Sequence, residues 1–169
     1  MRCGKSRKGA GFEGSNAMTE PQLDATAARR WRLGLLARAG ADDLDRAIAA
    51  LPAPPEATDL RGPETGLVML TGRIGGDGGR FNLGEVTVSR STVRLAGGEV
   101  GFGQLLGGDQ SRARQAAILD AVAQTVAGAP VVSELCRRVE ASLAEAHRTL
   151  EAETAATRVD FFTLVRGED

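Results

Sequence analysis

The 169-residue chain is poor in the groups that most side-chain chemistry needs. It has one histidine, two cysteines, one tryptophan and no tyrosine. Two cysteines and one histidine exclude a disulfide framework and most Cys/His zinc sites. No apolar run reaches 18 residues, so no transmembrane helix is encoded. The formal net charge is only −1, which argues against a protein that coats nucleic acid. Lysine is nearly absent: Lys5 and Lys8 are the only two among 21 basic residues.

What remains is an ordinary globular composition, 42% hydrophobic and 25% charged, enough for one domain with a core. Residues 1–17 differ from the rest. They hold both lysines and have almost no apolar residues. Setting aside Arg2, Lys5, Arg7, Lys8 and Glu13 leaves 17 basic and 21 acidic residues, a net of −4. The segment lacks the apolar stretch of a secretory signal. It is expected to be a leader or mis-start segment before a natural start at Met18, with 18–169 forming a single domain. A basic arm for nucleic acid is the other reading, but it has four charges and no interleaved aromatics.

The body predicts an α+β fold: N-terminal helices, a central antiparallel sheet of about three to four strands, then two C-terminal helices, one of them long. Residues 24–39 follow helical spacing, with Asp24 as cap, Ala28, Trp31, Leu35 and Ala39 on one face, and Gly40 as terminator. Asp42 is expected to cap a second helix carrying Leu44, Ile48 and Leu51, stopped by Pro52, Pro54 and Pro55. Leu67 to Leu70 form a continuous apolar run, which predicts a strand buried on both faces. Val86 and Val88 have one parity and Val93 and Leu95 the other, so a bulge or bend is expected at Ser89 to Thr92. Gly97-Gly98 is expected as a two-residue hairpin turn, with Val100 and Phe102 on the returning strand. A helix over 109–127 has Asp109 as N-cap and Ile118, Val122 and Val126 as stripe. A final helix over about 132–157, ~38 Å long by its rise, repeats Val132, Leu135, Val139, Leu143, Ala146 and Leu150.

Candidate chemistry is sparse. His147 lies one turn before Glu151 and is expected to be a half-exposed helix residue rather than a base or metal ligand. Cys136 is expected as a small buried apolar residue. Glu64, Glu85, Asp109 and Asp120 are the carboxylates open to acid–base work, and nothing in their spacing brings two of them together. Two glycine-rich loops are weak anion candidates. Gly107-Gly108-Asp109 precedes a helix carrying Arg112 and Arg114. Gly75 to Gly79 lies between Arg73 and Arg80, and is either a plain hairpin connection or a loop shaped for a partner. Neither matches a phosphate-loop motif, and an acidic Asp109 would repel phosphate. The tail is apolar: Phe161, Phe162, Leu164 and Val165 must dock on the chain's own core or on a neighbour. No catalytic, cofactor-binding or metal-ligating residue is assigned.

Several segments then come in a specific order. Glu64-Thr65-Gly66-Leu67-Val68-Met69 and Gly75-Gly76 precede Phe81-Asn82-Leu83-Gly84-Glu85-Val86-Thr87-Val88-Ser89-Arg90, and Val93-Arg94-Leu95 follows. Leu119-Asp120-Ala121 and a closing Val159-Asp160-Phe161-Phe162-Thr163-Leu164-Val165-Arg166-Gly167 complete the set. Over about 27–168 the chain resembles the G subunit family of the phosphonate carbon–phosphorus lyase system. It departs in the leader and at Ser91, where many relatives carry cysteine.

The resemblance implies a cytoplasmic bacterial protein of organophosphonate catabolism. It implies a core complex with H, I and J subunits, two copies of each, and no nucleic-acid or membrane partner. That complex displaces adenine from ATP with methylphosphonate, giving ribose 1-methylphosphonate 5-triphosphate. ATP is then the substrate of the complex, while the iron–sulfur cluster and S-adenosylmethionine belong to the J subunit. This chain would be a transferase subunit without catalytic residues or cofactor of its own. The other implied reading is a subunit that itself contributes a nucleotide- or phosphate-binding surface.

Overall fold

The computed structural model describes residues 24–157. The leader 1–17 and the tail residues Phe161, Phe162, Leu164 and Val165 lie outside them. Four helices and a three-stranded antiparallel sheet alternate as expected for α+β: α1 (Ala25–Leu36), α2 (Ala41–Ala49), β1 (Ala57–Arg73), β2 (Arg80–Leu95), β3 (Val100–Leu106), α3 (Gln110–Val122) and α4 (Ala129–Ala156). The strand order is β1-β2-β3.

Local chemistry explains most boundaries. Asp24 caps α1, its carboxylate accepting from the Ala27 amide at 2.7 Å. Asp109 does the same for α3 through the Arg112 amide at 3.0 Å. At α2 the cap position belongs to Gly40, not Asp42; Asp42 and Asp43 instead put negative charge in the first turn, where the helix dipole favours it. The β2–β3 connection, residues 96–99, is four residues long, not two. The Gly98 amide donates to Leu95 O and the Leu95 amide to Glu99 O, with Gly98 at φ 99°, a turn closed by a left-handed residue that glycine adopts without Cβ strain.

The strand register corrects one further expectation. β2 pairs with β3 from Val88 to Arg94 without interruption, so β2 carries no inserted residue at Ser89 to Thr92. The irregularity sits on β1 opposite it, where Arg61 to Glu64 span Thr92 to Arg90, and Pro63 occupies the bulge. The parity change in β2 reflects two different faces. Ser91 and Val93 pair with Gly103 and Gly101, the glycines that lie against α3, and are buried with Ser89; Val88, of the other parity, is buried as well, and Val86 is half-buried.

The core lies between the lower half of the sheet and the helices. Leu36, Leu44, Val93, Leu119, Val132 and Leu135 are among its fully buried side chains. α3 is the central element, buried from Ala116 through Val122. It lies backbone-close on β3: a Cβ on Gly101 would sit 2.0 Å from Ala117 O, and one on Gly103 1.9 Å from Ala113 O. Glycine at alternate positions of β3 is therefore what lets the helix settle there. α3 ends at Val122, and Val126, expected in its stripe, is 96% exposed in the following turn. In α4, Val132, Leu135, Cys136 and Val139 are buried, but Leu150 is exposed. The helix is 28 residues, ~42 Å by its rise, and its second half extends past the core.

Candidate functional site

Two features stand out from the packed domain. The first is an arm formed by the β1–β2 hairpin. Gln110, the first residue of α3, donates to Thr65 Oγ1 at 3.0 Å, which marks where the helix layer stops. Beyond it, Gly66–Arg73 and the paired residues of β2 run on for ~25 Å as two strands. β3 does not reach them, since its pairing ends at Val88↔Leu106. The run Leu67 to Leu70, expected to be buried on both faces, is therefore exposed on both: Leu67 is 64% and Met69 48% accessible, and Val68 and Leu70 also face solvent. The apolar run was real, but no layer among the described residues covers it. Phe81 and Leu83, exposed on the opposite strand, extend the same surface and close over Gly72. A further bulge at Leu83, with Gly84 at φ 149°, separates this end from the regular part of the arm.

The second feature is the only fully buried charge among the described residues, Asp120. Its Oδ2 accepts from Arg29 Nη2 at 2.6 Å and from the Phe102 amide at 3.1 Å; Arg29 Nε lies 3.3 Å and Arg32 Nη2 3.5 Å from Oδ1. Arg29 also donates to Val100 O at 2.8 Å and stacks over the Phe102 ring, 5.3 Å from its centroid. Gln124 Nε2 adds a second donor to Val100 O. Phe102 N and Val100 O are the groups that the outer edge of β3 turns away from β2. The cluster therefore caps a strand edge and pins α1 to α3. Sequence reasoning weighed Asp120 as one of four carboxylates and could not pair it, because Arg29 lies 91 residues away.

The other candidates are dispersed. Arg112 donates to Ala39 O at 2.7 Å and Arg114 to Asp59 Oδ1 at 2.8 Å, so the two guanidiniums serve different elements. Arg73 donates to Gly78 O at 3.3 Å within the arm's tip, and Arg73 and Arg80 stand directly opposite each other across the hairpin. Glu64 bridges Arg61 and Arg90 at the β1 bulge; the Arg90 hydrogen bond, ahead of the Arg61 contacts, holds its carboxyl below the usual glutamate range. Glu85 is exposed on the arm. His147 is exposed, with Nδ1 3.4 Å from Glu151 Oε2, the helical i,i+4 neighbour. Cys136 is buried. A groove of ≈ 660 Å³ separates α1 from α4, lined by Trp31, Leu35, Arg38, Glu140 and Leu143. No helix among the described residues is long and apolar enough to cross a membrane.

A helix-backed half-sheet continued by a bare apolar arm defines an α+β protein whose exposed surface is suited to being covered by another chain. The chain belongs to the family described as phosphonate metabolism protein PhnG, whose model matches residues 27–167. It is 57% identical over 143 residues to a protein of Rhizobium meliloti (strain 1021) named alpha-D-ribose 1-methylphosphonate 5-triphosphate synthase subunit PhnG, covering 85% of this chain and 92% of that one.

Proposed function

We propose that this chain is an accessory, non-catalytic subunit of a synthase that forms α-D-ribose 1-methylphosphonate 5-triphosphate in organophosphonate catabolism. The observation that carries this reading is the 57% identity, over nearly the full length of both chains, to a relative named as a subunit of that synthase. The reaction assigned to the assembly displaces adenine from the anomeric carbon of ATP with methylphosphonate. The partners are the H, I and J subunits of the carbon–phosphorus lyase core complex, two copies of each, in the cytoplasm. The radical chemistry that later breaks the carbon–phosphorus bond, with its iron–sulfur cluster and S-adenosylmethionine, belongs to the J subunit.

The division of labour fits the side chains. Asp120, Arg29, Arg112 and Arg114 are committed to contacts within the chain, whereas the arm presents apolar surface. The commitment of Arg112 and Arg114 favours the accessory role over a nucleotide-binding surface at the start of α3. Reconstitution tests the proposal. The synthase is assembled from co-expressed subunits with and without this chain, and adenine release from ATP and methylphosphonate is followed. Activity and co-purification that depend on this chain are expected. Equal adenine release without it would overturn the reading.

A further inference from the structure

The two edges of the sheet are treated differently. In β2 the Thr87 carbonyl accepts from the Gly107 amide, so Thr87 turns its backbone groups toward β3. Its partner across the other ladder is Leu67. In an antiparallel ladder the hydrogen-bonded residues alternate, so Gly66, Val68 and Leu70 bond to β2 while Thr65, Leu67 and Met69 turn their N–H and C=O groups to the outer edge. The same alternation on β3 turns Val100 O and Phe102 N outward, and there Arg29, Gln124 and Asp120 satisfy them. On β1, Arg114 Nη2 reaches Ala57 O at 3.5 Å near the start of the strand, but among the described residues no such side chain meets the outward backbone groups of Thr65, Leu67 and Met69.

That edge also lacks the usual protection. Proteins blunt open strands with charge, proline or bulges. β1 has Pro63 and its bulges below Glu64 and a register shift above Leu70, but pairs regularly from Glu64 to Leu70. Thr65 to Gly72 contains no charged residue and no proline. At the end of this stretch, Arg73 and Arg80 face each other, a like-charge pair that costs stability when directly opposed. Among the described residues neither is paired with a carboxylate.

We propose that the outer edge of β1, over Thr65 to Met69, takes an extended segment of a partner subunit as a fourth strand. The segment is uncharged over about seven residues, the length of the regular register, and carries an acidic side chain where it passes Arg73 and Arg80. Main-chain bonds to Thr65, Leu67 and Met69 supply the pairing, and the apolar side chains on both faces of the arm supply the packing. This inference rests on the subunit reading above.

The test is amide hydrogen exchange of the full chain, alone and in the co-expressed complex, together with two variants at one position. Met69→Pro removes an outward donor without removing a bond to β2, whereas Met69→Thr changes the side chain and keeps the donor. Both are checked by circular dichroism. Protection of the Thr65, Leu67 and Met69 amides on assembly is expected. Met69→Pro should weaken co-purification by about tenfold relative to Met69→Thr, the effect of about one net hydrogen bond. A complex that forms while these amides exchange as in the free chain would overturn strand addition and leave the subunit reading intact. A chain that joins no complex would overturn both. Protection already present in the isolated chain, rising with its concentration, would assign the edge to a second copy and overturn the partner proposal. Should Met69→Pro fail to fold, the exchange measurement on the unaltered chain decides alone.

Discussion

Removing the Asp120 carboxylate is the perturbation with the clearest consequence. The side chain has no accessible surface, and it accepts from Arg29, Arg32 and the Phe102 amide. Asp120→Ala leaves two guanidiniums without their counter-charge and one strand-edge amide without an acceptor. Breaking a buried pair from one side costs about 3–5 kcal/mol. The low end applies here, because the Arg29 side chain remains 34% exposed and water recovers part of its loss. The orphaned Phe102 amide adds about 1 kcal/mol. The expected destabilisation is therefore about 3–4 kcal/mol, a large fraction of the ~5–15 kcal/mol that holds a typical domain together. Urea unfolding followed by circular dichroism measures it. With a slope of about 2 kcal/mol per molar, the midpoint should fall by about 1.5–2 M. Asp120→Asn keeps one acceptor oxygen and should lose about half as much. A loss below about 1 kcal/mol for Asp120→Ala would refute the assignment of Asp120 to the sheet edge.

The other predictions concern packing, pH and the surface. Gly103→Ala places a methyl against the α3 backbone, so α3 must shift; a loss of about 2–3 kcal/mol is expected in the same unfolding assay. Glu64 has a lowered folded-state pKa, so its contribution is present above the ordinary glutamate pKa and is lost as pH falls through the folded value. The stability gap between the unaltered chain and Glu64→Gln should accordingly narrow between about pH 5 and pH 3, as read from urea midpoints. His147→Ala should change stability by less than about 0.5 kcal/mol and leave adenine release by the complex unaltered, because the imidazole is exposed on the projecting part of α4. Deleting residues 161–169 should reduce co-purification with the partner subunits; unchanged assembly would remove Phe161, Phe162, Leu164 and Val165 from the interface.

Much of the architecture was legible because it rests on local chemistry. Asp24 and Asp109 sit where capping carboxylates belong, and Val132, Leu135 and Val139 keep helical spacing. Misreadings arose where a residue's role depends on what lies beside it in space. Val126 continues a helical repeat, yet the chain turns away before reaching it. Ser89 to Thr92 carry a parity change, but the extra residues belong to the facing strand. Leu67 to Leu70 look like an interior strand, since an apolar run reads the same whether its cover comes from this chain or from another. The candidate arginines were visible as residues, but their contacts with Ala39 and Asp59 were not.

The sequence alone determined that this is an α+β chain with few groups for chemistry, ordered as helices, sheet and helices, and it carried the family likeness. These properties depend on composition, on period and on caps within a few residues of each other. Tertiary structure alone decided that Asp120 closes one edge of the sheet and that, among the described residues, Thr65 to Met69 have no neighbour on the other. Both outcomes depend on segments tens of residues apart, where the chain must fold before a carboxylate meets its arginines or a strand is seen to lack a neighbour.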